Sequence, residues 1–187
     1  MELNQIINQI YSLPQTSAAK LGEAVQEVTF PKGHILLRAD KIETDVYFIK
    51  KGIVRAYSIH DGNEVTFWFG HEGDTALSMR SYVQNKEGYE DIEVLEESEF
   101  YMLKAQCLQE LFKEDLHIAN WGRKFAENEL VKTEERLISR QFKSATERYN
   151  DLLKDTPHLL QRVQLGHIAS YLGITQVSLS RIRATIK

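Results

Sequence analysis

From Thr175 to Arg181 the chain reads Thr-Gln-Val-Ser-Leu-Ser-Arg. At helical spacing, Gln176, Val177, Ser180 and Arg181 share an outer face while Leu179 turns inward. Those side chains match what base edges present in the DNA major groove. An arginine at 181 pairs with guanine O6 and N7, a glutamine at 176 with adenine, and a valine at 177 touches a thymine methyl. Thr175 and Ser178 stand where phosphate oxygens are held, helped by the N-terminus of a helix. Ser170 and Tyr171 lie just ahead, within reach of the same backbone.

Such a face works only if a second helix holds it. Leu165, Ile168, Ala169 and Leu172 supply the inner face of a preceding helix, and the small Ala169 permits a close crossing. Gly173 stands where a left-handed residue ends that helix. Ile174 plugs the turn, Thr175 is a good N-cap, and Leu179, Ile182 and Ile186 face inward on the second helix. Together these are the positions of a helix-turn-helix. Charge separates this reading from an ordinary helix pair with a solvated face. The chain has 187 residues and a net charge of −4. Residues 1–119 carry 11 Lys+Arg against 20 Asp+Glu, whereas residues 120–187 carry 12 against 7. No acid follows Asp155, but Arg162, Arg181, Arg183 and Lys187 do. A basic tail on an acidic body suits a polyanion partner for the tail alone.

Upstream, Ile6, Ile7 and Ile10 suggest a short helix, Pro14 breaks it, and Leu21 and Val25 resume the pattern. Short β runs follow at Val25–Phe30, His34–Leu37, Val46–Lys50, Ile53–Ile59, Glu64–Phe69, Ile92–Leu95 and Phe100–Leu103. Asp61-Gly62 is a tight hairpin turn, and Gly73-Asp74 marks another. Many short strands at this spacing predict a barrel or jelly roll. From about Ala105 to about Lys154 the period is helical. Ala119, Gly122, Ala126, Leu130, Thr133 and Leu137 form one stripe, widened by Ile118, Trp121 and Phe125. The expectation is a long helix with one stripe on the barrel and one on a second copy, the small residues letting two backbones approach; the alternative is a core-facing helix in a monomer. Ser144 and Thr146 read as lying inside a second helical pattern that Thr156-Pro157 ends.

Several function classes are excluded. Cys107 is the only cysteine, which rules out an internal disulfide and a four-thiolate metal or iron–sulfur site; a small buried hydrophobe is the expected role. No apolar run approaches a membrane span, and Met1–Tyr11 is no signal peptide, so a cytoplasmic protein is expected. A cupin-like enzyme needs converging metal ligands, yet His60 and His71 are isolated, and His34 and His117 read as turn or surface residues. There is no nucleophile elbow, phosphate-binding glycine loop or paired-carboxylate motif, so no catalytic, cofactor or metal residues are assigned.

The order of barrel, long helix and helix-turn-helix resembles the Crp/Fnr family of bacterial regulators. Val46–Arg55 looks like that family's β-roll signature, Gly73-Asp74 like its next turn, and Ile168–Thr175 with Leu179–Ile182 like its DNA-reading motif. The resemblance implies an α+β chain: a jelly-roll, cyclic-nucleotide-binding-like sensor over 1–113, a dimerisation helix over 114–138 and a DNA-binding domain over 139–187. It implies a homodimer on a palindromic site in double-stranded DNA, with RNA polymerase and a small-molecule effector as further partners. Cyclic AMP is not the expected effector. In members that bind it, a glutamate after the Gly-Asp turn holds the ribose and an Arg-Ser pair holds the phosphate. Here Ser78 stands near the first position, and Gly88-Tyr89 followed by Glu90 and Asp91 near the second. Carboxylates in place of an arginine repel a phosphate. Ser78 and Arg80 are the remaining ligand candidates, Arg80 alternatively being exposed or paired with a carboxylate. The stretch Pro157–Gln164 is short for a β-wing, and the sequence stops at Lys187 where many members continue into a hairpin; fewer phosphate contacts, and affinity more dependent on salt or dimerisation, are the expectation.

Overall fold

A computed structural model describes residues 1–185, so Ile186 and Lys187, placed above on the inner face and in the basic tail, lie outside the described residues. The fold is α+β, with a β-roll followed by helices. Two short helices, α1 (Leu3–Ile10) and α2 (Gln15–Glu23), precede the strands. The strands are β1 (Val25–Phe30), β2 (Ile35–Leu37), β3 (Val46–Lys51), β4 (Val54–His60), β5 (Asn63–Gly70), β6 (Thr75–Ala76), β7 (Asp91–Val94) and β8 (Ser98–Leu103). They form two four-stranded sheets, ordered β1-β8-β3-β6 and β2-β7-β4-β5. The tight turn expected at Asp61-Gly62 is present, both residues having positive φ, 49° and 76°. A helix that the strand pattern did not announce, α3 (Met79–Gln84), sits between β6 and β7.

The chain forms two compact units. The first comprises Met1–Ala56 and Phe69–Leu130. Its strands sort their side chains by alternation. Val46 and Phe48 of β3, with Tyr101 and Leu103 of β8, join Ile6, Ile7, Leu21, Leu108, Ile118 and Trp121 in one buried cluster. Between them on the strands, Tyr47 and Phe100 face the other way and meet Phe30, at ring-centroid distances of 6.0 to 6.4 Å. His34 stacks on Phe30 at 4.2 Å. Burial first, then Asp45 and Glu43, push the Tyr47 phenol up to about 12. Arg55, buried on β4, donates through Nε and Nη2 to Glu93 Oε2 on β7 at 3.0 and 2.7 Å.

The helical stretch after Ala105 is cut twice. The first helix, α4 (Ala105–Glu114), ends at the extended residue Asp115, and α5 (Leu116–Phe142) starts there. Asp115 Oδ1 accepts the N–H groups of His117 and Ile118, so the carboxylate caps α5. The second cut corrects the reading of Ser144. It lies outside the helix as N-cap of α6 (Ala145–Asp155), where its hydroxyl accepts from Glu147 N and Glu147 reaches back to its N–H. Cys107 is half-buried on α4, more open than expected. One member of the small-residue stripe has a partner within the chain: a Cβ on Gly122 would fall 2.4 Å from Phe112, so this glycine admits an α4 side chain. Farther along α5, Leu130, Val131, Leu137, Ile138 and Phe142 are exposed.

The second unit holds the hairpin tip Tyr57–Trp68 and the chain from Val131 on: the end of α5, α6, a short α7 (Leu159–Arg162), α8 (Leu165–Leu172) and α9 (Gln176–Thr185).

Within the first unit, Trp121 is the anchor of α5. It is 1% exposed, and its indole N–H donates to the Ile7 carbonyl at 3.0 Å. Trp121→Ala opens a cavity and removes one of the two donors to that carbonyl, the other being Tyr11 N–H, so we expect a loss of about 3–5 kcal/mol. Urea unfolding followed by circular dichroism measures it; a loss below about 1 kcal/mol would contradict this role.

Candidate nucleic-acid interface

The candidate interface is built on the turn between α8 and α9. Gly173 adopts φ 67° and ψ 34°, a left-handed conformation that stops α8. Its N–H donates to Ser170 O at 3.0 Å, and Ile174 N–H donates to Ala169 O at 3.0 Å. This pair of bonds is a Schellman motif. Arg148 Nη2 donates to the Leu172 carbonyl at 2.6 Å, adding a cation at the helix C-terminus. Thr175 Oγ1 accepts from Ser178 N at 3.2 Å and lies 3.1 Å from Ser178 Oγ, so the expected N-cap forms and engages both hydroxyls. Ile168, Ala169, Leu172 and Leu179 are buried and Ile182 half-buried, as the inner face requires. Leu165 departs from that pattern, with 38% of its surface exposed in the first turn of α8.

On the outer face Val177, Ser180 and Arg181 are exposed. Gln176 is exposed as well, but its amide lies over Gly166, where a Cβ would come within 2.6 Å of Nε2. Ser170 is occupied elsewhere: its hydroxyl donates to Glu64 O and accepts from Thr66 N, each at 2.9 Å, holding the edge of β5. Tyr171 is half-buried, and burial raises the pKa of its phenol while the charges of Arg136, Arg140 and Arg148 lower it in part. Ser170 therefore does not present the free hydroxyl that its position ahead of the turn suggested. The Ser170 bond to β5 and the Arg148 bond to α8 had no signal in the sequence, because both join segments far apart along the chain.

In the first unit, the residues at the family's ligand positions do not converge on a phosphate. Ser78 is 2% exposed, and its hydroxyl has no hydrogen-bond partner. Gly88 packs straight onto it, with a Cβ position only 2.8 Å from Ser78 Oγ. Gly88 is also tied through both backbone groups, accepting from Asp40 N at 3.1 Å and donating to Lys41 O at 2.9 Å. Glu90 is buried next to it. Arg80 is exposed, its guanidinium 5.7 Å from the Tyr89 ring centroid, at a groove also lined by Asp40, Asn85, Lys86 and Glu87. Ser78 and Arg80 are therefore not brought together on one ligand-facing surface. The filled space at Ser78, with Gly88 near the arginine position and carboxylates directly after it, does not fit a cyclic phosphate. Among the described residues no group of three His, Cys, Asp or Glu side chains is placed to hold a metal ion. No helix among them is long and apolar enough to cross a membrane.

Residues 27–115 match the cyclic nucleotide-binding domain family. No curated protein matches the chain in sequence. Among solved structures it is similar to FixK2 of Bradyrhizobium japonicum, with a TM-score of 0.74 and 20% identity over 87% of this chain and 84% of that one. A transcriptional regulator of the crp/fnr family from Eubacterium rectale gives 0.70 and 17% over 91% and 82%. The catabolite activator protein of Thermus thermophilus gives 0.60 and 18% over 95% and 85%. The chain thus contains a β-roll of the cyclic nucleotide-binding type and has the fold of the Crp/Fnr transcription regulators.

The turn can be tested directly. Gly173→Ala places a Cβ on a left-handed residue, and we expect a loss of roughly 1–2 kcal/mol in the stability of the C-terminal unit. Thermal or urea unfolding reads it, and Gly173→Asn, which tolerates that conformation better, should lose less.

Proposed function

We propose that this chain is a DNA-binding transcription regulator of the Crp/Fnr type, a homodimer that reads a palindromic operator through α9. The observation that carries the reading is the outer face of α9. Val177, Ser180 and Arg181 are exposed on a helix whose inner face is buried, whose N-cap is formed by Thr175, and whose surrounding sequence carries no acid after Asp155. Arg181 is the base-reading residue with the longest reach, and Gln176 joins it on the same face. Thr175 and Ser178 hold phosphate at the helix start.

The exposed apolar residues Leu130, Val131, Leu137 and Ile138 recur about every seven residues along α5, and a second copy of that helix is the partner that suits them. The protein acts in the cytoplasm, with RNA polymerase as the machinery it addresses, and has no catalytic role: His60 is exposed and His71 lies beside Asp74. The effector of the β-roll, where there is one, is not cyclic AMP.

The DNA reading is tested by selecting binding sites from random duplexes with the wild type and with Arg181→Ala. We expect the variant to lose about 1–3 kcal/mol of discrimination at one position of each half-site. An unchanged site preference would remove Arg181 from the reading face. For the sensor, calorimetry with cyclic AMP at micromolar concentrations should give no saturable heat. A saturable signal refutes the reading of Ser78 and Gly88.

A further inference from the structure

We propose that Arg136 and Arg140, near the C-terminal end of α5, form a second DNA contact that holds the phosphate backbone beside the bases read by α9. The inference rests on the DNA-binding reading above and adds residues from outside the helix-turn-helix.

Arg140 and Arg148 of the second unit stand at the Leu172-Gly173 turn, and Arg136 precedes Arg140 by one helical turn on the same face of α5. Arg148 is the structural member, donating to Leu172 O and to Lys143 O. Arg140 Nη2 lies 4.0 Å from the point where a Cβ of residue 173 would stand, two residues before the N-cap Thr175. Arg136 donates to Thr133 Oγ1 at 2.9 Å. All three charges are felt at the Tyr171 hydroxyl.

Arg136 and Arg140 are like charges four residues apart on α5, and an anion lying over both offsets their repulsion. The anion is not supplied by the chain. Among the described residues no carboxylate forms an ion pair with Arg136, Arg140 or Arg148. The nearby acids of α6 are committed: Asp151 to Lys143, and Glu147 to the Ser144 cap. Arg140 is exposed and Arg136 half-exposed, and neither has a carboxylate within ion-pair distance among the described residues. A planar fork of N–H donors with no carboxylate partner is suited to phosphate oxygens. Arg148 positions the turn, and Arg136 and Arg140 contact the backbone. They contribute affinity that is independent of base sequence.

The test is a salt titration on the whole chain. Fluorescence anisotropy measures binding to the duplex selected by the wild type and to a random-sequence duplex, between 50 and 200 mM KCl. Each lost phosphate contact makes the slope of log K against log salt shallower by about 0.9, so R136Q/R140Q should be shallower by about 1.8. Its loss of affinity across that range is then about tenfold smaller than the wild type's, on both duplexes, with the selected sequence unchanged. R136K/R140K, which keeps both charges, should keep the slope. If the double variant does not fold, R140Q alone is read, with a slope shallower by about 0.9. An unchanged slope in the glutamine variants, or a slope that lysine does not restore, overturns the proposal while leaving α9 as the reader. A wild type that binds neither duplex overturns the DNA-binding reading, and this proposal with it.

Discussion

At the end of α8 the N–H groups of Gly173 and Ile174 fold back onto the carbonyls of Ser170 and Ala169. Both bonds form because residue 173 takes a left-handed conformation, which a glycine adopts without steric penalty. The direction of α9 follows from that turn. So does the exposure of Val177 and Arg181, because Leu179 can be buried only if the helix leaves the turn at this angle. Thr175 then closes the first turn of α9 by accepting from Ser178 N. Arg148 holds the turn from the other side through Leu172 O. The turn is held by backbone hydrogen bonds, which side-chain variation on the outer surface of α9 leaves untouched.

The β-roll obeys a simpler constraint. The consecutive apolar residues of β3 bury both faces of that strand. Val46 and Phe48 meet the helices, while Tyr47 and Phe100 meet Phe30 on the opposite face. Trp121 connects the long helix to this arrangement through the Ile7 carbonyl. Packing of this kind leaves the ligand positions to be decided by a few residues. Ser78 and Gly88 fill against each other, and the buried Glu90 follows the Gly88-Tyr89 pair that stands near the family's phosphate-holding position. A fold shared with cyclic nucleotide-binding domains does not by itself fix which ligand, if any, the β-roll takes.

Two features join parts of the second unit that are distant in sequence. Ser170 fastens the hairpin edge at Glu64 and Thr66 to α8, and Arg148 fastens α6 to the end of the same helix. The first helix of the motif is thus held on two sides while α9 keeps its outer face open. That division of labour explains why Ser170, polar and next to the motif, is not available to a phosphate.

Local rules were enough for much of this. Strand alternation, the Asp61-Gly62 turn, Gly173 as a helix stop and Thr175 as a cap are each determined within four or five residues, and the structure forms them where the residue types indicate. The inner face of the helix pair was legible for the same reason, save Leu165, whose burial depended on a neighbour that does not cover it. The breaks at Asp115 and Ser144 were legible in principle, since both are capping residues, but the unbroken hydrophobic period masked them. What only the tertiary structure decided is pairing at a distance: Gly122 against Phe112, the Gln176 amide over Gly166, Ser170 on β5, and Arg140 and Arg148 at one turn. A sequence states which groups a residue carries. Which partner meets them depends on how remote segments are brought together, and that is set by packing that no local spacing records.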